Sequence, residues 1–393
     1  MKPLYFFLLC VLGSCTALEP GAPEETTILD GPIIGLSGEA LAQFHQGDLA
    51  FNSQVFTTQN GLGPLFVATS CGSCHPGDGK GHPFSTLTRF GQSDPSGNKF
   101  LDLGGPQLQH HAIPGFAPES IPAGATFTKL TPPANTGLGY LDAVADGDIL
   151  ALADPNDANG DGISGIPNWI YLKNYVTPRP NSISQNGKYI GRFGKKGATY
   201  DLLQQTATAY NQDIGITSTY EVHDTHTGLE MDPEVSNQTI QNVVFYLKTL
   251  KAPPARDQDA GDVISGNQIF ISLKCGACHS PNLKTGISTI SSLSYKNFSP
   301  YTDLLLHDMG SALNDGYTEG SAQATEWKTP PLWGLGLSKN SQGGSYFLLH
   351  DGRARSIEDA IALHGGEAEN SKSSFVALTE NEKKQLIKFL ESL

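Results

Sequence analysis

Basic side chains are scarce in this chain of 393 residues: 25 Lys and Arg stand against 39 Asp and Glu, for a formal net charge of -14. They are also scattered, so no stretch could track a phosphate backbone, and the reading is no nucleic acid partner. Charged residues make up only 16% of the chain, whereas 44 Gly and 25 Pro call for long irregular connections rather than long solvated helices. Cysteine is short too, and its placement is telling. Of six Cys, Cys10 lies in an N-terminal apolar run, Cys15 closes that run, and the other four sit in two Cys-x-x-Cys-His motifs. None is left for a structural disulfide. The run itself, MKPLYFFLLCVLGSC, is too short to span a bilayer as a mature helix, and no other stretch approaches it.

One Lys, a short apolar run and closing small residues are the layout of a secretory signal, here residues 1–14. Leu12-Gly13-Ser14-Cys15 resembles a bacterial lipobox, so cleavage would leave Cys15 as a lipidated N-terminus. Thr16 beside it, rather than Asp, favours sorting to an outer membrane. The expectation is a periplasmic lipoprotein held at the outer membrane through the lipid on Cys15.

The motifs are CGSCH at Cys71 to His75 and CGACH at Cys275 to His279. A redox Cys-x-x-Cys would need neither the His nor a second copy, and a structural zinc site would leave both His unexplained. Covalent haem attachment accounts for every residue. Two thiols three positions apart reach the two vinyl groups of one porphyrin, and the adjacent imidazole falls under the iron. Cys71, Cys74 and His75 are thus expected to hold one haem c, and Cys275, Cys278 and His279 another.

The repetition runs further. Phe66 stands five residues before Cys71 and Phe270 five before Cys275, at an offset of 204. Thr131-Pro132-Pro133 leads to Gly137-Leu138-Gly139, and Thr329-Pro330-Pro331 to Gly334-Leu335-Gly336. A duplicated cytochrome c unit follows. The fold class read from this is mostly α, two cytochrome c-like haem domains with long irregular loops: 15–250 and 258–393, with the boundary inside Lys251 to Asp262. Helices are expected from Ser37 to Val55 and from Asp262 to Leu273. A third carries Ile240, Val243, Val244, Leu247 and Leu250 on one face, and a last one opens with a Thr379/Glu382 capping box. No convincing strand ladder is visible. Asp157, Asn159 and Asp161 before Gly162 open like an EF-hand loop, but Asn168 stands where its closing Glu belongs. A calcium site and a solvated Asx-turn loop stay open as alternatives.

The stretches SPYTDLLLHDMG, EWKTPPLWGLG, FLLHDGRARSIEDAIALHGGEA and LALADPNDANGDGISG together resemble the bacterial dihaem oxidoreductases of the peroxidase or thiol oxidoreductase type. These are similar to the dihaem cytochrome c peroxidases and to the dihaem enzyme that matures the methylamine dehydrogenase cofactor. The resemblance implies a relay: the C-terminal haem takes electrons from a small periplasmic donor protein, a cytochrome or cupredoxin, and passes them to an N-terminal haem that reduces hydrogen peroxide or another small oxidant. It also implies calcium between the haem domains.

The peroxidase pattern maps onto Thr329 to Trp333, onto Phe347 to Gly352 with His350 as a pocket hydrogen-bonding group, and onto His364 as distal ligand of the second iron. That position is usually Met. Sulfur stabilises ferrous iron, so a His279/His364 pair implies a lower potential. His307 and Met309 are rival ligands. The step of 28 residues from Gly336 to His364 lands, from Gly139, on Pro167, and no His lies between His111 and His223. The first iron is thus expected to lack a sixth ligand. The family's carboxylate after the repeat's second Gly makes Asp142 the candidate acid/base, with His82, His110 and His111 as alternatives and Trp169 as a coupling ring. Arg353, Arg355 and Arg192 are candidate partners of the haem propionates. Two other readings remain: a dihaem electron carrier without turnover, and an enzyme that oxidatively modifies a protein.

Overall fold

In the computed structural model residues 24–92 and 97–393 are described, so the signal run, Cys10, Cys15 and Thr16 lie outside the described residues. Among those described, no helix is long and apolar enough to cross a membrane. The chain is 34% helical and 12% strand, a mostly α fold, and among the described residues the strands form two- and three-stranded sheets.

The helices that frame the site are α1 (Gly38–Asp48), α2 (Leu202–Gln212), α3 (Asn237–Thr249), α4 (Gly261–Ser272), α5 (Ile357–Ala362) and α6 (Glu380–Ser392). Their starts obey local chemistry. Asp201 accepts from Gln204 N at 2.8 Å, Ser236 from Thr239 N at 3.1 Å, and Thr379 and Glu382 form the capping box expected from sequence.

Two helix crossings organise the molecule, α1 on α3 and α4 on α6, and they are built alike. A Cβ on Gly47 would collide with Asn242 O and Tyr246; one on Gly266 would collide with Gln385 O and Phe389. Only glycine lets the backbones approach this closely. An aromatic pair locks each crossing, Phe44 with Tyr246 at 5.0 Å and Phe270 with Phe389 at 5.4 Å between ring centroids. The second Gly of each Gly-Leu-Gly also repeats its role, Gly139 lying against Lys248 O and Gly336 against Glu391 O. Gly137 and Gly334 both adopt left-handed backbone, at φ +72° and +69°.

Each Thr-Pro-Pro follows an antiparallel strand pair. Strand β1 (Leu87–Gly91) pairs with β2 (Thr126–Leu130), and β3 (Leu306–Asp308) with β4 (Glu326–Lys328), placing His307 opposite Trp327. Buried side chains gather in one core around α1, α2 and α3, including Phe44, Tyr210, Val243 and Leu247, and a second around α4 and α6, including Phe270, Leu386 and Phe389. Each such side chain contributes about 1.5–3 kcal/mol by leaving water. The link between the crossings is fastened to the second, since Arg256 N donates to Ser392 O at 2.7 Å.

Candidate functional site

Both motifs open onto one cavity of about 490 Å³, within the roughly 300–1,000 Å³ usual for cofactor sites. Each motif is a single turn that points its thiols and imidazole the same way: His75 N donates to Cys71 O at 3.0 Å and His279 N to Cys275 O at 2.9 Å. Each ring is then fixed from behind. His75 Nδ1 donates to Pro133 O at 2.9 Å, and His279 Nδ1 to Tyr301 O at 3.0 Å. Burial pushes both imidazoles down to about 4, so they are neutral at Nε2, the form that binds iron. The four thiols are unpaired, and burial pushes Cys71 up to about 12 and Cys74 and Cys275 to about 11.

The cavity wall fits a large occupant with polar edges. Asn135 Nδ2, Arg192 Nε, Thr206 Oγ1 and Tyr210 OH are buried there without a protein partner. Orphaned polar atoms of this kind are rare in a folded chain.

The second motif faces two apolar helices and one more imidazole. His364, just after α5, lines the cavity with Nδ1 donating to Ala360 O at 2.6 Å, and it lies near enough to His279 to depress its protonation. Leu386, Leu390, Ile361 and Phe375 complete this end. The rival ligand His307 is occupied on both nitrogens, Nε2 by Asp303 at 2.8 Å and Nδ1 by Glu367 at 2.6 Å. Burial works against its charge, but the hydrogen bonds from Asp303, Cys278 and Glu367 push it up to about 12. With a carboxylate on each nitrogen, neither is turned toward the cavity to hold iron. Glu367 also accepts from Ser164 N at 3.0 Å and Ser164 Oγ at 2.6 Å, tying the 154–164 loop to this end. Met309 lines the cavity beside Trp327.

The first motif faces a different wall. Arg89 and Glu319 form an ion pair there, with Gln205 and Thr206 nearby. Asp213 adds a carboxyl that has no side-chain partner among the described residues, and burial pushes it up to about 6 against the pull of Arg89.

Several expectations are corrected by placement. Asp142 does not line the cavity: its carboxylate is gripped by Arg179 at 2.6 Å and Lys248 at 3.1 Å. Burial alone would raise its pKa, but these two cations hold it well below the usual carboxylate range, which leaves it a poor base. His82, His110 and His111 also lie off the cavity; His82 caps Phe84 N and His111 Nδ1 bonds Val67 O. Trp169 lies off it as well, and Trp333 is on it. The oxygens of Asp157, Asn159 and Asp161 accept from Gly162 N, Asp161 N and Ile163 N of their own loop, in the manner of Asx-turns.

Among the propionate candidates, Arg353 pairs with Asp351 and Arg355 lies over the Phe347 ring, both away from the cavity. Arg192 reaches it, but its guanidinium is bound to Asp146 and three carbonyls. His350 is buried on the cavity wall, stacked on Trp327 at 3.8 Å between centroids, while its carbonyl accepts from Thr131 N at 2.7 Å.

A family model described as di-haem oxidoreductase, putative peroxidase, matches residues 129–393. The chain belongs to this family. The matched stretch holds the second motif, both Thr-Pro-Pro segments and His364; Cys71 to His75 precede it. As a di-haem oxidoreductase the chain has haem as its expected cofactor, and the donor set just described suits that group. No curated protein matches it. Similar solved structures include hydrazine synthase of Kuenenia stuttgartiensis (14% identity, 100% of both chains, TM-score 0.44). A MauG-like protein associated with microbial copper homeostasis is similar at 14% identity over 93% of this chain and 91% of that one, TM-score 0.42. The diheme peroxidase BthA from Burkholderia thailandensis E264 is similar at 13% identity over 90% and 86%, TM-score 0.43.

Proposed function

We propose that this di-haem oxidoreductase is an exported c-type enzyme that reduces hydrogen peroxide at its first motif with electrons relayed through its second. It is anchored at the outer membrane through Cys15 and served by a small donor protein. The observation that carries the reading is the inequality of the two ends of the cavity: His75 faces a polar, titratable wall at the first, whereas at the second His279 shares its end with His364, an imidazole that no carboxylate engages, among aliphatic side chains. When bound through thioethers to the two Cys pairs, haem supplies iron for one-electron transfer and, where an axial position is open, for peroxide cleavage. His75 Nε2 would hold one iron, and His279 Nε2 and His364 Nε2 would hold the other. Asp213, rather than Asp142, is the carboxylate on the first motif's wall that would accept a proton from peroxide and return it to the leaving oxygen, with the Arg89–Glu319 pair keeping the wall polar.

Electron paramagnetic resonance of the purified protein tests this. One high-spin and one bis-imidazole low-spin ferric signal are expected, and His364→Met should raise the potential of the low-spin haem alone. Two low-spin signals, neither altered by azide, would turn the reading to an electron carrier.

A further inference from the structure

Of the lysines that line the cavity, Lys372 is paired with Glu369 and Lys274 is exposed; three half-buried ones stand outside any ion pair among the described residues. Lys80 follows the first motif, Lys195 sits in the GRFGKK turn and Lys328 ends β4. Their protein acceptors are meagre: Lys80 Nζ reaches Leu349 O and Lys328 Nζ reaches Thr329 O, both at 3.4 Å, and Lys195 Nζ has none among the described residues. The other cations on this wall are engaged, Arg89 by Glu319 and Arg192 by Asp146. Burial disfavours the charge on all three lysines, and Lys328 adds repulsion at Lys195. Gathering like charges in a largely apolar cavity is unfavourable unless an anion joins them. Asp351 acts on Lys80 and Lys195, and Asp303 on Lys328, only from beyond ion-pair distance, so an anionic occupant is the group that can meet the ammonium groups directly.

We infer that Lys80, Lys195 and Lys328 form the carboxylate-binding site of the cavity and hold haem propionates where the two halves of the chain meet. This rests on the dihaem reading. An ammonium group beside a propionate also bears on the iron: it offsets the negative charge that favours the ferric state.

The test compares the holoprotein with a variant carrying Lys80→Gln, Lys195→Gln and Lys328→Gln, and with the matching Lys→Arg set. Thioethers should keep two haems per chain in the pyridine haemochrome assay. At least one midpoint potential should fall, the propionate bands in resonance Raman should move, and the Arg set should restore both. Should the triple variant fail to fold, Lys195→Gln alone serves, since that side chain has no protein acceptor to lose. Unchanged potentials and propionate bands with two haems in place would overturn the assignment. Formate binding to the parent protein but not to the Gln variant, with propionate bands unmoved, would overturn it in favour of a free anion. A parent protein lacking two haems would overturn the dihaem reading and this assignment together.

Discussion

The two ends of the cavity share a frame and differ in what fills it. Gly47 and Gly266, Tyr246 and Phe389, Gly139 and Gly336 play matched roles, and His75 and His279 are both fixed by a backbone carbonyl. Yet the first end carries Arg89, Asp213 and Glu319, and the second carries His364 among aliphatic side chains. A packing scaffold tolerates copying because its constraints are backbone contacts. The lining is free to diverge because few backbone contacts depend on it, and there one copy becomes suited to proton-coupled chemistry and the other to holding an iron closed.

The largest effect that would break the symmetry of the frame is loss of a thioether. Cys71→Ala and Cys275→Ala should each lower haem content by about one per chain in a pyridine haemochrome assay, and equal loss from both would show that both motifs are loaded. Next comes the proposed division of labour. Asp213→Asn should slow stopped-flow oxidation by hydrogen peroxide by roughly 10²- to 10⁴-fold, the usual worth of one acid/base group. With its carboxyl at about 6, the parent rate should rise as pH climbs through that value, and the variant should lose the limb. A variant as fast as the parent would return the first end to an electron-transfer role.

Asp142→Asn sharpens the contrast with Asp213, since it should spare the rate and harm the fold. It strands Arg179 and Lys248 beside Arg192, and breaking a largely buried pair costs about 3–5 kcal/mol, read from urea midpoints. Its carboxyl is depressed in the fold, so the stabilisation is whole above about pH 4 and drains away as pH falls below it. The Asn variant should lack that acid-side loss. Smallest are Gly47→Ala and Gly266→Ala, each expected to cost roughly 1–3 kcal/mol by forcing a helix crossing apart. A much milder effect at one of them would show that the two crossings are not equally tight.

What the sequence disclosed was whatever is encoded over a few positions. The Cys-x-x-Cys-His turns, the Thr379/Glu382 box, the Gly-Leu-Gly repeat and the four helices depend on spacing, and they appear in the fold near where expected, though the first helix, expected to reach Val55, is α-helical only to Asp48 and continues as a wider turn to Ser53. The side chains that face the cavity depend on long-range placement. Asp142 sits at the right step after Gly139, but the last turn of Leu138–Asp142 presents it to Arg179 and Lys248, 37 and 106 residues away. Arg192 and Lys195 of the GRFGKK turn both line the cavity, but Arg192 is held by Asp146 and three carbonyls, while Lys195, three residues on, has no acceptor among the described residues. No local pattern says which of two neighbouring cations a distant set of carbonyls will capture. Asp213 carries no motif at all; it is visible only as a helix C-cap whose carboxyl finds no partner.

The helix crossings also say something about ancestry. Each brings two helices that flank a Cys-x-x-Cys-His motif together, so the chain returns near its starting point on either side of that motif. A module with adjacent ends can be copied head to tail along a gene without rethreading either copy, and a short connector such as Lys251 to Ala260 is all the join requires. Tandem duplication of such a module would set both motifs on one shared cavity at once, with only its lining left for selection to rewrite.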